Sequence, residues 1–251
     1  MATPRIYLTG SVAIENGPHL IRERDFPGRQ VRLAFTFLAV HRHRTVSRDE
    51  LVSALWPDDN VDSGLDPVLS KLRNVLKAAG MASDGGSIDA SSGLVGLCLP
   101  AATWVDIEAA ANALDEAEGA MRRHDRAAWG LANTAVVISR RPFLPNVEAP
   151  WIEAQRSVLR GVLRRGMQCL VQISAANNEP LLAIQHAEEL IEIDPFRETS
   201  YQLLMRMHAA AGDRAAALRV FAQCRERLRK ELGVSPSPQT EAVYLEILQA
   251  D

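Results

Sequence analysis

The stretch Asp66-Pro67-Val68-Leu69-Ser70-Lys71-Leu72-Arg73-Asn74-Val75-Leu76-Lys77-Ala78-Ala79-Gly80 decides how the first half of the chain is read. Val68, Leu69, Leu72, Val75, Leu76 and Ala79 recur at helical spacing and make one apolar stripe. Gly80 supplies the stop. Asp66 is a good N-cap and Pro67 a good first helical residue, so the helix is expected to begin at Asp66. Ser70, Arg73 or Asn74, and Lys77 lie opposite the stripe, with Lys71 beside them. These are side chains that a DNA groove could use: Arg pairs bidentately with guanine, Asn with adenine, and Lys meets phosphate or guanine.

Working outward, Ser47-Arg48-Asp49-Glu50 reads as a capping box, with Glu50 reaching back to the Ser47 N–H. It opens a helix whose apolar side is Leu51, Val52, Leu55 and Trp56, and Trp56-Pro57 ends it. An acidic loop, Asp58 to Gly64, follows. Before it, Val31, Ala34, Phe35 and Leu38 mark a helix from about Gly28 to Arg42. Ile6, Leu8, Val12 and Ile14 alternate around Gly10-Ser11, and Leu20-Ile21 follows Asn16-Gly17-Pro18, as in a small antiparallel meander. Beyond Gly80, Ser87-Ile88 and Leu94 to Leu99 sit in a Gly/Ser-rich stretch and read as a hairpin. Strands, three helices and a hairpin make the order of a winged helix-turn-helix, whose third helix enters the major groove beside the wing.

Residues 104–251 are helical almost throughout. An offset of 34 residues, the tetratricopeptide period, lays Leu170 on Leu204, Ala183 on Ala217 and Ile184 on Leu218. Helical pairs at that period stack into a superhelix. The earlier pair, 105–121 with 126–139, does not keep it. The chain is therefore expected to be mostly α, with an α+β winged helix over 1–103 and a helical repeat domain over 104–251.

The 251 residues carry 28 Lys and Arg against 31 Asp and Glu, for a net charge of -3. That excludes a uniformly basic, histone-like protein but not a local basic patch. No apolar run approaches the 18 residues of a membrane span, and Met1 to Arg5 does not open a secretory signal, so a cytoplasmic protein is expected. Cys98, Cys169 and Cys224 have no metal spacing and read as reduced, mostly buried thiols. His41 and His43 lack a third ligand. No nucleophile–base arrangement and no phosphate-loop glycine pattern occurs, so neither an enzyme nor a cofactor is expected.

A family is recognisable in these segments. Arg29 to Leu33, Val46 to Val52, Leu55 to Asp58 and Leu69 to Arg73 resemble the response-regulator-type winged helix. They are most similar to the version in the antibiotic-pathway regulatory proteins of actinomycetes, the SARP family. Pro150-Trp151 with Arg156, Ile193-Asp194-Pro195 with Glu198, Gly212 with Ala217, and Glu231 to Pro236 resemble its bacterial transcriptional activator domain. The resemblance implies a cytoplasmic regulator that binds promoter repeats on double-stranded DNA, dimerises there and contacts RNA polymerase holoenzyme.

The charges of residues 1–105 balance, 11 of each sign. Their cations are concentrated: Arg44 and Arg48, with Ser47, are expected to meet phosphate at a helix N-terminus, and Lys71, Arg73 and Lys77, with Ser70 and Asn74, to meet the groove. Three features oppose this. Asp66-Pro67 stands where the family continues its recognition helix, Asp62 and Asp66 would face phosphates, and no Lys or Arg occurs between Lys77 and Arg122. The alternative is a protein-interaction module on a degenerate winged helix, using an exposed Leu94-Val95-Leu97 edge.

Overall fold

The computed structural model describes residues 3–57 and 64–249. They form two compact units, one of residues 1–109 with 138–159, the other of residues 110–137 with 160–251.

The first unit opens with β1 (Arg5–Tyr7), β2 (Ala13–Asn16) and β3 (His19–Arg22). Their antiparallel register sets Ile6 opposite Ile14 and Ile14 opposite Ile21. Next come α1 (Arg29–Val40), β4 (Val46–Ser47), α2 (Arg48–Leu55) and α3 (Leu65–Ala78). β5 (Ser87–Ser91) and β6 (Leu94–Cys98) form the hairpin, and β4 pairs with the other edge of β6. Ser92 and Gly93 both have positive φ, as a two-residue hairpin turn matched to strand twist requires. The α3 stripe expected from the sequence, Val68, Leu69, Leu72, Val75, Leu76 and Ala79, is buried throughout.

β7 (Trp104–Val105) then pairs parallel to β1, an addition the alternating pattern did not foretell. Immediately after it stands the fully buried Asp106. Its carboxylate accepts hydrogen bonds from the N–H groups of Leu8 (3.0 Å), Thr9 (2.9 Å) and Ile107 (2.8 Å) and from the Thr9 hydroxyl (2.7 Å). Burial pushes its pKa up, and these donors oppose that rise.

Residues 138–159 complete this unit. Gly10 N–H donates to the Pro142 carbonyl at 2.7 Å. Arg156 grips three carbonyls, of Phe143 (3.0 Å), Leu144 (2.6 Å) and Val147 (3.0 Å). The Trp151 indole N–H donates to Ala54 at 3.1 Å, and its ring meets Phe37 edge-on. Trp151 continues at helical spacing with Leu159, Val162, Leu163, Leu170 and Ile173 and so reads as part of a stripe between stacked helices; it sits instead, half-buried, beside α1 and α2, packed against the core cluster of the winged helix.

The helices beyond are α4 (Asp106–Arg122), α5 (Ala127–Ser139), α6 (Pro150–Ala176), α7 (Pro180–Ile193), α8 (Glu198–Ala210), α9 (Arg214–Leu232) and α10 (Pro238–Gln249). In the second unit, α8 packs against α7 and α9, and α10 covers both α8 and α9. The 34-residue period extends to single hydrogen bonds. α6 and α8 end 34 residues apart, and Asn178 and Gly212 both turn with positive φ. Glu179 N–H donates to Ser174 O as Asp213 N–H donates to His208 O, each at 2.9 Å. The same turn closes α4 at His124, where Asp125 N–H donates to Ala120 O at 2.9 Å, but outside the period. Glu198 is received by the Ser237 N–H and hydroxyl (both 2.8 Å) and by the Thr240 hydroxyl. Burial opposes its charge, and these donors outweigh it, so its pKa falls below the usual value. The segment Glu231 to Pro236 is thereby followed by an anchored helix start. Among the described residues no helix is long and apolar enough to cross a membrane.

Asp106→Ala leaves three buried N–H groups and a hydroxyl without their acceptor. Urea unfolding should show a loss of about 3 kcal/mol or more, at roughly 1–3 kcal/mol per orphaned buried group. Burial pushes the Cys169 thiol to about 11 and that of Cys224 to about 12, whereas Cys98 is exposed. Because the thiolate is the nucleophile, iodoacetamide on the native chain at pH 8 should modify Cys98 alone, as peptide mass spectrometry would read; labelling of Cys169 or Cys224 at a similar rate would contradict their burial.

Candidate nucleic-acid interface

Burying one stripe of α3 leaves the opposite side in solvent. Asp66, Ser70, Arg73 and Lys77 follow one another at four, three and four residues and so lie in one line along the helix. Asn74 adjoins that line and Lys71 flanks it; all six are exposed. Among the described residues Lys71, Arg73 and Lys77 have no carboxylate partner, so their charges face water. The groove-facing set expected from the sequence is thus brought together on one surface.

The start of α2 differs from expectation. The Ser47 hydroxyl accepts from the Glu50 N–H at 3.0 Å, one half of the capping box. The Glu50 carboxylate is held chiefly by the Arg44 guanidinium, through two hydrogen bonds, with the Ser47 backbone a lesser influence on it. That pair draws the Glu50 pKa down and the Arg44 pKa up. Arg48 N–H donates to the Gly93 carbonyl at 3.0 Å, tying the helix start to the hairpin turn. The Arg48 side chain donates to Asp66 Oδ1 at 2.8 Å. Both arginines expected to meet phosphate are therefore ion-paired, and the backbone donors of Arg48 and Glu50 are in use. An exposed pair such as Arg44–Glu50 contributes about 0–1 kcal/mol, little enough for a phosphate to compete.

Asp66 was expected to cap α3. The helix instead starts at Leu65 after Gly64, which makes no side-chain cap bond, and Asp66 lies inside the first turn. Its carboxylate has turned to Arg48, and there it also complements the positive helix end. The acidic loop Asp58 to Gly64, including Asp62, lies outside the described residues as far as Ser63.

The wing corrects another expectation. Val95 and Leu97 are buried, and only Leu94 of that run is exposed. β6 is the middle strand of β4-β6-β5, so residues two apart share a face and the Val95–Leu97 face is turned inward. The exposed tip, Asp89 to Leu94, holds one acid and no cation. His43 faces Glu108 at 3.0 Å, and Arg42 Nε binds the same carboxylate at 2.7 Å. Burial first, then Arg44, lowers the pKa of His41. Among the described residues no group of three His, Cys, Asp or Glu side chains is placed to hold a metal ion.

No local signal in the sequence points to the Arg48–Asp66 pair, whose members stand 18 residues apart. The Arg44–Glu50 pair, six apart, was hidden by the capping-box pattern, which claimed Glu50 for Ser47.

A family model described as the bacterial transcriptional activator domain matches residues 105–248. The chain belongs to this family. The resemblance to the antibiotic-pathway regulatory proteins holds as well. The chain is 28% identical over 225 residues to regulatory protein AfsR of Streptomyces coelicolor, covering 88% of this chain and 22% of that protein. It is 27% identical over 226 residues to regulatory protein AfsR of Streptomyces griseus, with the same coverage. It spans about a fifth of the length of these curated relatives. Among solved structures, EmbR of Mycobacterium tuberculosis in complex with a low affinity phosphopeptide superposes with a TM-score of 0.83 at 19% identity, over 99% of this chain and 66% of that one. That likeness shows a shared fold, a winged helix followed by helical repeats.

Ser47→Ala removes the side-chain acceptor for the Glu50 N–H. Thermal and urea unfolding should report a loss of about 1 kcal/mol, the usual worth of an N-cap; an unchanged stability would mean the hydroxyl caps nothing.

Proposed function

We propose that the chain is a transcription regulator that binds promoter repeats on double-stranded DNA through α3. The observation that carries this reading is the set of α3 side chains left in solvent by a buried opposite face, with Arg73 and Lys77 in line and Lys71 beside them, none with a carboxylate partner among the described residues. In the proposal, Ser70, Arg73, Asn74 and Lys77 reach base edges or the groove walls and Lys71 reaches backbone phosphate. Ser47 and Arg44 stand at the start of α2 where a phosphate strand would pass, and Arg48 faces the same side. Arg44 exchanges Glu50 for phosphate on binding. The helical repeats supply the surface for a second copy and for RNA polymerase holoenzyme. Family membership supports this assignment, and the residue roles follow from the α3 surface.

A second reading, a protein-interaction module that binds DNA weakly or not at all, draws on one observation: the wing tip has no cation with which to release counterions.

A gel-shift salt titration against the DNA upstream of the protein's own gene separates the two. The first reading expects binding that weakens steeply with salt. Arg73→Ala with Lys77→Ala should lower affinity at least tenfold, and Lys71→Ala should make the log–log salt slope shallower by about 1, for the one lost phosphate-side cation. Unchanged affinity and slope would remove α3 from the interface, and no shift at physiological salt would favour the second reading.

A further inference from the structure

Asp66 is the feature that the DNA-binding reading leaves unused. A bare carboxylate at the entry of a recognition helix would be repelled by both phosphate strands. Yet Asp66 is in line with Ser70, Arg73 and Lys77 on the outward side of α3, and its side chain is 78% exposed. It is also not bare. Arg48, reaching from α2, donates to Oδ1 at 2.8 Å. The pair carries no net charge, and the guanidinium engages one carboxylate oxygen.

Oδ2 remains free of protein partners among the described residues and can only accept. In the major groove, the donors on base edges are the N4 amine of cytosine and the N6 amine of adenine. Adenine sets an N7 acceptor beside its amine, which repels a carboxylate. Guanine presents two acceptors, and thymine an acceptor with a methyl group. Cytosine alone offers a donor with no neighbouring acceptor on the same base.

We propose that Asp66, neutralised and aimed by Arg48, is a specificity residue that selects cytosine at one position of the DNA site. Arg48 is then a positioning residue for Asp66 rather than a phosphate clamp. This inference rests on the reading of α3 as the recognition helix.

The test is selection from a random duplex pool by the full chain and three variants, with melting temperatures compared to exclude misfolding. The parent chain should enrich a motif with an invariant cytosine. Asp66→Ala should keep the rest of the motif and lose the preference at that one position, about tenfold against the other bases. Asp66→Asn should move the preference to adenine, since an amide can accept from N6 and donate to N7 together. Arg48→Ala exposes the carboxylate and should weaken binding to every duplex. If the parent enriches a motif that Asp66→Ala and Asp66→Asn leave unchanged, the specificity role is overturned and DNA binding stands. If the parent enriches nothing, the recognition-helix reading fails, and this inference with it.

Discussion

A carboxylate placed out of reach of water must be met by donors or give up its charge. Asp106 meets that constraint with three backbone N–H groups and a hydroxyl, drawn from the end of β1 and the start of α4. The first β-strand, the last strand of the same sheet and the first helix after the winged helix are thereby fixed to one another at a single side chain. The parallel β1–β7 pairing beside it brings Ile6 against Val105, both fully or nearly fully buried, so the polar clasp and the apolar sheet face lie side by side.

Much of this was legible in the sequence because it is periodic. The α3 stripe, the meander around Gly10 and the helices of the second half all follow from spacing alone. The 34-residue offset was legible from matches such as Leu170 with Leu204 and Ala183 with Ala217, and it extends to the turn hydrogen bonds. Asn178 takes the left-handed conformation that Gly212 takes one period later, Asn being among the few residues besides Gly that adopt it readily. What periodicity did not disclose were the long-range polar contacts. Trp151 fitted a helical stripe equally well whichever core it entered, and its indole partner, the Ala54 carbonyl, lies 97 residues away.

The surface was harder to read than the core. A capping box has two halves, and the sequence contains both, but the stronger partner of Glu50 is Arg44, through a two-pronged charge-assisted contact. The apolar run Leu94 to Leu97 was taken as one exposed edge, whereas strand alternation sorts it residue by residue. Asp66 was read as an obstacle to DNA because its neutralising partner is in another helix. In each case the residue type was right and the partner was missing, which is the information that tertiary structure adds.

Residues 138–159 return to the winged-helix unit after the chain has left it for residues 110–137. During synthesis the ribosome releases residues 1–103 well before Phe143, Trp151 and Arg156. The nascent winged helix therefore waits with Phe37 and the Ala54 carbonyl uncovered, and its core closes only when α4, α5 and the start of α6 have emerged. An expression fragment cut at the end of the hairpin wing would present that same unfinished state permanently.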